Sequence, residues 1–367
     1  MKIIQILPSL HMGGGEKFAI DLSNELNKNG HKVIICVLDK LANDLNLLKM
    51  VNSNVNVISL NKTSSFSFKT MINLYFFIKK EKPDVIHTHL RGLIYSIFVI
   101  FFTKIPIIHT IHNLADKEIS KNFQKIHKIF FKYFSVIPVS ISPIVLESTK
   151  KLYGKEFNEL VYNGVSPLQL TDKLTSVKNE LENYKTSKNT KIILNIGRII
   201  KQKNQLMLIE AVNEMIEDNH DIILLIIGSK ETDGNYFKEC LGKVKFENNI
   251  KFLGIKENVS DYIYLSDMFC LSSIYEGLPL VILETMSLGK QIVSTPAGGV
   301  VDVIKDSQNG FLTKNFDKNE LKLKLLEALK EPCSKELILK KFNENYSMEI
   351  CMKNYKNIYR RKLNESN

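Results

Sequence analysis

The chain has 367 residues, 44% apolar and 24% charged, which is ordinary for a globular protein and long for one hydrophobic core. Its 50 Lys+Arg against 39 Asp+Glu give a net charge of +11, and no stretch is low in complexity. Five scattered cysteines (Cys36, Cys240, Cys270, Cys333 and Cys351) exclude a disulfide framework and a zinc spacing, and point to reduced thiols in a cytoplasmic setting.

In chain order, residues 1–10 carry one Lys, a short apolar run and a Pro. They read as a first buried strand rather than a signal peptide. Further short apolar strands are expected at 32–38, 56–60, 85–88, 105–110 and 136–139, with helices over 17–28, 69–80 and 91–103. The longest apolar run, 93–102, contains Ser96 and is too short to span a bilayer. Residues 166–190 are polar, rich in Ser, Thr, Asn and Lys, and make the expected join after a first domain at 1–165. Strands return at 191–196, 222–227, 250–253, 268–271 and 291–294, with a helix over 204–218, so a second domain is expected at 191–346. Tyr and Met recur at helical spacing over 347–367, which predicts a terminal helix with the first domain as a candidate packing surface. The fold class is therefore α/β, with two doubly wound, Rossmann-like domains. Ligands in such sheets sit beyond the carboxyl ends of the strands, and two such ends facing each other would form a cleft.

The charge is uneven. Residues 1–165 hold 21 Lys+Arg and 12 Asp+Glu, which favours an anionic membrane or a phosphorylated lipid as partner of the first domain. Nucleic acid fits less well, because Arg91 is the only Arg there and Arg is the usual base reader. A lysine-favouring codon bias is the plain alternative. Lys117, Lys121, Lys125, Lys128 and Lys132 recur at spacings of four, four, three and four, one face of a helix that can rest on an anionic membrane. An ordinary packed helix with a solvated face is the competing reading.

The most informative stretch runs from Ser272 to Glu284. A buried strand leads into Glu276-Gly277-Leu278-Pro279-Leu280, with Pro279 at the expected first position of a helix and Gly289 as its terminator. That helix is apolar on nearly every face, so Glu284 is a carboxylate expected inside the protein, where it needs a partner. A sugar ring or a ribose, each rich in hydroxyls, fits. The helix dipole explains an acid at Glu276 better than one at Glu284, more than a turn inside.

Gly197-Arg198, with Lys203, follows the first strand of the second domain, where two cations can clamp a diphosphate. Lys201 reads as solvated. Met12-Gly13-Gly14-Gly15-Glu16 lets backbone N–H groups approach a phosphate at a helix N-terminus, and on its own is equally a flexible turn. Four histidines lie on two strand ends: His87 and His89, then His109 and His112. His112 can exchange a hydrogen bond with a sugar hydroxyl, whereas His87 and His109 read as core residues. No carboxylate or Cys shares that spacing, so no metal site is expected. No Asp-x-Asp triplet points to a metal-bound diphosphate either.

Together these residues resemble glycosyltransferase family 4, retaining enzymes with the GT-B fold. The resemblance runs through Gly13-Gly14-Gly15-Glu16, Thr110-Ile111-His112, Val139-Ser140, Asn163-Gly164-Val165 and Gly197-Arg198 with Lys203. It continues through the Glu276/Glu284 pair, Gly298-Gly299-Val300 and Asn309-Gly310-Phe311. It implies that Arg198 and Lys203 hold a donor diphosphate, that Glu284 binds the ribose hydroxyls and that Glu276 binds the transferred sugar. The backbone of Gly277, Leu278, Pro279 and Leu280 would complete that pocket, and Gly13, Gly14 and Gly15 would also touch substrate. His112 would face the reacting sugar. Asp302 and Asn258 depart from residues more frequent in the family and leave the nucleotide preference open.

The activity so implied is transfer of a hexosyl or N-acetylhexosaminyl group from a nucleotide-diphosphate donor, a UDP-sugar, to a lipid-linked saccharide. The setting would be bacterial O-antigen, capsule or exopolysaccharide synthesis, by a cytoplasmic enzyme peripheral on the inner face of the cell membrane, with no cofactor and no nucleic-acid partner. GDP-mannose or a soluble acceptor would keep the same fold; a non-catalytic basic adaptor is the rival from another class. Donor specificity is expected in the loops 229–234 and 254–258.

Overall fold

The computed structural model describes residues 1–11, 13–41, 46–230 and 234–366. Met12 of the glycine loop and residues 231–233 of the expected specificity loop lie outside them. The chain separates into two compact units, Met1–Ser166 with Asn345–Asn367, and Pro167–Glu344.

The first unit is a parallel sheet of β1 (Lys2–Leu7), β2 (Lys32–Asp39), β3 (Asn56–Lys62), β4 (Val85–His89), β5 (Ile107–Ile111), β6 (Val136–Ser140) and β7 (Glu159–Leu160). Their order is β3-β2-β1-β4-β5-β6-β7. Helices α1 (Gly14–Lys28), α2 (Phe68–Glu81), α3 (Gly92–Tyr95), α4 (Ile97–Phe102), α5 (Ala115–Glu118), α6 (Lys121–Tyr133) and α7 (Pro143–Leu152) join them. β1 and β2 are near-continuous apolar runs because both faces are covered, and every residue of β4 and β5, their His and Thr included, is buried.

Two expected helices are each divided. Ser96 splits the stretch 91–103, and its hydroxyl donates back to the Gly92 carbonyl at 3.0 Å, the local competition that makes Ser a poor helix-interior residue. The lysine-bearing stretch breaks at Ile119 and Ser120, both extended, so Lys117 belongs to α5 and is not on the face shared by Lys121, Lys125, Lys128 and Lys132.

The C-terminal helix, Met348–Ser366, packs on α1 and closes this unit. Its Tyr355 and Tyr359 are wholly buried. The chain enters it through a short parallel bridge in which Val165 N–H donates to Tyr346 O and Met348 N–H donates to Val165 O, both at 3.0 Å.

The second unit holds β8 (Lys191–Ile196), β9 (Ile222–Ile227), β10 (Ile250–Gly254), β11 (Met268–Leu271), β12 (Ile292–Ser294) and β13 (Phe311–Leu312), in the order β10-β9-β8-β11-β12-β13. Its helices are α8 (Leu174–Glu182), α9 (Gln205–Glu217), α10 (Asn235–Gly242), α11 (Val259–Leu265), α12 (Leu280–Ser287), α13 (Val300–Val303), α14 (Lys318–Lys330) and α15 (Lys335–Asn345). Ile193, Leu208, Val212, Leu224 and Leu325 anchor a core between sheet and helices.

Of residues 166–190, expected as a join, all but Ser166 are part of this unit. The polar composition conceals one amphipathic helix, α8, which buries Val177 and Leu181. Asp261 accepts from the Thr171 backbone at 2.8 Å and from its hydroxyl at 2.5 Å, and Tyr262 donates to Glu180 at 2.7 Å.

In both sheets the strand order reverses at the first strand. β1 lies between β2 and β4, and β8 between β9 and β11, so each unit opens a crevice where neighbouring connections leave in opposite directions. No described helix is long and apolar enough to cross a membrane.

A side chain on Gly164 would collide with the C-terminal helix: its Cβ would lie 2.6 Å from the Cys351 Cβ and 2.8 Å from the Ser347 carbonyl oxygen. Gly164→Ala is expected to destabilise the protein by about 1–3 kcal/mol, the usual range for overpacking. An unaltered melting temperature would show that the helix is not held against Gly164.

Candidate functional site

The second unit assembles a charged cluster at its switch point. β8 is followed by Gly197, whose N–H donates to Ile227 O at 2.9 Å, and then by Arg198 with its side chain exposed. A 3-10 turn, Lys201–Lys203, then leads through a left-handed Asn204 (φ 49°) into α9. The stem of Lys203 lies along Gly197, with Cε 3.4 Å from where a Cβ would sit there. Its ammonium reaches the Glu276 carboxylate at 2.6 Å, and the two side chains are only 16% and 10% exposed.

Backbone contacts fix both ends of that pair. Ile274 N–H donates to Gln202 O at 2.8 Å, Gln202 Nε2 donates to Tyr275 O at 2.9 Å, and Ser272 Oγ donates to Lys203 O at 2.8 Å. From the other side Gly299 N–H donates to Gly277 O at 2.9 Å, and Thr295 Oγ1 donates to Ser273 O at 2.6 Å. Gly298 makes this approach possible: its φ is +56°, and a Cβ would lie 1.8 Å from the Glu276 carbonyl oxygen. Gly228, with φ +155°, allows the matching approach to Gly197, whose oxygen would be 1.8 Å from a Cβ.

The chain then runs through Leu278, buried, and enters α12 at Leu280. Pro279 stands one residue before the helix, extended at ψ 124°, and not at its first position as expected: its fixed φ serves the cap equally well. Leu280, Ile282, Leu283, Thr285 and Met286 are buried, and Glu284 with them at 8% exposure. Arg198, Lys203, Glu276, Gly277, Leu278, Pro279, Leu280 and Glu284 thus all lie on two adjoining strand-end segments of one unit. Chemically, a fixed ammonium, an exposed guanidinium and a helix N-terminus suit a diphosphate, and buried carboxylates suit hydroxyls.

In the first unit the glycine loop and His112 come together. Gly13 caps α1 with an extended backbone, Gly14 begins the helix, and Gly15 lies 3.4 Å (as Cβ) from the His112 ring and the Leu90 side chain. Leu90, with φ 52°, occupies the left-handed region that a branched side chain rarely adopts.

His112 Nε2 is 3.0 Å from His89 Nδ1, and His89 Nε2 is 2.7 Å from Gln5 Oε1. An amide oxygen only accepts, so His89 carries its proton on Nε2 and accepts from His112, leaving His112 Nδ1 as an acceptor. Phe18 of α1 packs its ring edge against His112, centroids 5.6 Å apart. His87 is a fully satisfied core residue, bonded to Tyr359 at 2.6 Å and Thr110 at 2.7 Å. His109 is core too, but only its Nδ1 has a partner, Thr88 at 2.9 Å.

Gln5 and Glu118 were not singled out from the sequence, and His89 was placed on a strand end without a role. A single polar residue within the apolar run of residues 3–7 was the available signal for Gln5. Among the described residues no group of three or more His, Cys, Asp or Glu side chains is placed to hold a metal ion.

Burial pushes His112 and His127 down to about 3 and His87, His89 and His109 well below the ordinary value, so all five are neutral in the folded protein. Glu118 goes the other way. Burial pushes it up to about 8, against a smaller pull from the backbone N–H groups of His112 and Asn113, with which it makes no hydrogen bond of normal geometry.

The signs follow by linkage. Histidines with depressed folded values lose stability as pH falls below the unfolded value of 6.5. A carboxyl with a raised folded value is most favourable below its unfolded 4.5, and its contribution is lost as pH rises toward about 8. Stability is therefore expected to fall steeply below about pH 6. Glu118→Gln should match the wild type near pH 5 and exceed it near pH 8, by a few kcal/mol at most. Melting curves across that range check both, and an advantage of the Glu118→Gln variant that did not grow with pH would contradict the buried carboxyl.

Two family models match the chain in tandem: Glycosyltransferase Family 4 over residues 12–167 and Glycosyl transferases group 1 over residues 176–346. The capsular polysaccharide biosynthesis glycosyltransferase CapH of Staphylococcus aureus is 25% identical, over 96% of this chain and 96% of that one. The GalNAc-alpha-(1->4)-GalNAc-alpha-(1->3)-diNAcBac-PP-undecaprenol alpha-1,4-N-acetyl-D-galactosaminyltransferase of Campylobacter jejuni is 27% identical, over 95% and 91%. Among solved structures, Anabaena Alr3699/HepE in complex with UDP and glucose superposes with a TM-score of 0.83 at 18% identity, covering 98% of this chain and 99% of that one.

Proposed function

Since the chain belongs to the family 4 type of glycosyltransferases and has the GT-B fold, we propose that it moves a sugar from a UDP-sugar to a lipid-linked saccharide. The setting proposed is assembly of a bacterial surface polysaccharide such as O-antigen or capsule, at the inner face of the cell membrane. The observation that carries the reading is the Lys203–Glu276 pair, 2.6 Å apart at the β8/β11 switch point beside Arg198.

In this reading the donor diphosphate takes the Lys203 ammonium and the Arg198 guanidinium, and Glu276 turns to the hydroxyls of the transferred sugar. Glu284 binds the ribose, and the backbone of Gly277, Leu278, Pro279 and Leu280 lines the sugar pocket. The first unit supplies the acceptor surface, with Gly13, Gly14 and Gly15 near His112. Neutral His112 accepts a hydrogen bond from a sugar hydroxyl at Nδ1.

The bond from the anomeric carbon to the β-phosphate oxygen breaks, and the acceptor hydroxyl oxygen forms the new bond on the same face. Its proton passes to the departing phosphate oxygen, and configuration is retained. Cations placed where negative charge develops supply the rate enhancement. No paired general acid and base is needed, because the diphosphate is already a good leaving group.

The lipid-linked acceptor is supported by the Campylobacter relative, whose name specifies a PP-undecaprenol-linked substrate, and the UDP donor by the Alr3699/HepE complex.

UDP at saturating concentration is expected to raise the melting temperature by a few degrees and GDP by less, as linkage requires for a specific ligand. Arg198→Ala should lower kcat/KM about 10²–10³-fold with melting temperature unchanged. Glu276→Gln should spare UDP binding and abolish transfer. Equal protection by GDP would move the donor to a guanine nucleotide, and wild-type turnover in either variant would remove that residue from its role.

A further inference from the structure

The excess positive charge of the first unit invites a membrane contact, and the structure shows which surface can make one. The lysine face of α6 is a weak candidate. Phe130 and Phe131 of that helix are spent on the unit's own core together with His127, so beside its lysines it exposes two apolar side chains, Ile129 and Tyr133 at 49% and 69%, fewer than the next pair of helices offers. The neighbouring pair α2 and α4 differs. α2 buries Met71, Leu74 and Ile78, and leaves a second stripe, Phe68, Ile72 and Phe76, facing solvent at 59%, 37% and 60% exposure. α4 buries Val99 and Ile100, and leaves Phe101 and Phe102 at 53% and 67%.

The two stripes make one surface. Phe68 meets Phe98 with centroids 5.2 Å apart, Phe98 stacks on Phe102 at 6.2 Å, Phe102 meets Tyr75 at 6.0 Å, and Tyr75 meets Phe76 at 5.3 Å. Lone exposed apolar residues are common on proteins, but a joined run of aromatic rings of this kind marks an interaction site. Lys69, Lys79, Lys80 and Lys104 are exposed around it, and the one acid of α2, Glu81, is held by Lys2 at 2.8 Å. An aromatic patch rimmed by lysines is complementary to a bilayer surface: rings enter the headgroup boundary, and ammonium groups meet anionic phosphates.

We propose that the aromatic face of α2 and α4, with its lysine rim, docks this enzyme on an anionic lipid bilayer. The choice of a bilayer over another protein rests on the lipid-linked-acceptor reading and on the charge of the rim. The patch is part of the first unit alone, so it leaves the charged cluster of the second unit untouched.

The test is co-sedimentation of the full chain with vesicles of phosphatidylcholine, alone or mixed with phosphatidylglycerol. The wild type is expected to sediment with the mixed vesicles and to be released by salt. F68S/F76S/F102S removes three exposed rings and should weaken binding roughly tenfold or more at an unchanged melting temperature. Replacing Lys121, Lys125 and Lys128 by Glu should weaken it less. Equal binding by the triple serine variant would overturn the proposal, as would wild type that ignores the mixed vesicles. A wild-type dimer that the serine variant abolishes, without vesicle binding, would assign the face to a second copy of the chain instead. Transfer to a detergent-solubilised acceptor is read separately. Its loss in a wild type that still binds vesicles counts against the transferase reading alone, and its retention in the serine variant shows that the patch acts outside the chemistry.

Discussion

An ammonium and a carboxylate 2.6 Å apart, both almost withdrawn from water, set the geometry of the second unit's charged cluster. Such a pair contributes little net stability, because desolvating two ions offsets most of their attraction. Its effect is on position. Lys203 can reach Glu276 only because the 3-10 turn is bonded to the strand-end segment through Ile274, Gln202 and Ser272. Glu276 can present its side chain there only because Gly298 lets the next loop come against its backbone oxygen. In the proposed function the two groups are each held ready for another partner: a donor diphosphate arriving with Arg198 as second cation would take the lysine, and the freed carboxylate would bind hydroxyls.

The first unit solves a different problem, that of keeping imidazoles neutral. Five histidines lie in or against β4 and β5, four of them buried and His112 half-buried, and desolvation dominates the shift of every one. Gln5 is what orients the outermost of them. Its oxygen fixes the proton of His89, and His89 in turn fixes that of His112, so the tautomer at His112 is decided by a residue two steps deeper. Glu118 beneath the same loop is raised for the same reason that the histidines are lowered: low polarity penalises whichever form carries charge.

What was legible in the sequence is what local physics controls. β1, β2, β8, β9 and β11 are short, mostly apolar runs, and such a run between helices has few outcomes other than a parallel strand. Arg198, Lys203, Glu276 and Glu284 were legible because each is a charged residue placed where a strand end or an apolar helix makes charge costly. What escaped depends on contacts across long sequence separations. The two-residue strands β7 and β13 are strands only by virtue of their neighbours. α8 is a helix whose apolar side is just Val177 and Leu181, too little to stand out in a polar stretch. The link from Gln5 to His112 joins residues on β1 and beyond β5, and no periodicity reports it.

The same distinction governs the excess charge. A repeat of lysines along α6 is visible as a pattern, and pattern alone favours that helix as a membrane contact. Energetically the pattern is incomplete, since each lysine near an anionic surface contributes only about 1 kcal/mol and salt screens it. Apolar burial is what converts a transient encounter into residence, and α6, with Phe130 and Phe131 buried in its own unit, turns Ile129 and Tyr133 outward. The outward rings of α2 and α4 form a longer joined run, and the α2 stripe is offset from the core-facing one by about a third of a turn, so no refolding is needed to present it. In the proposed docking, basicity would bring the first unit toward a bilayer, and the exposed rings would decide which of its faces arrives.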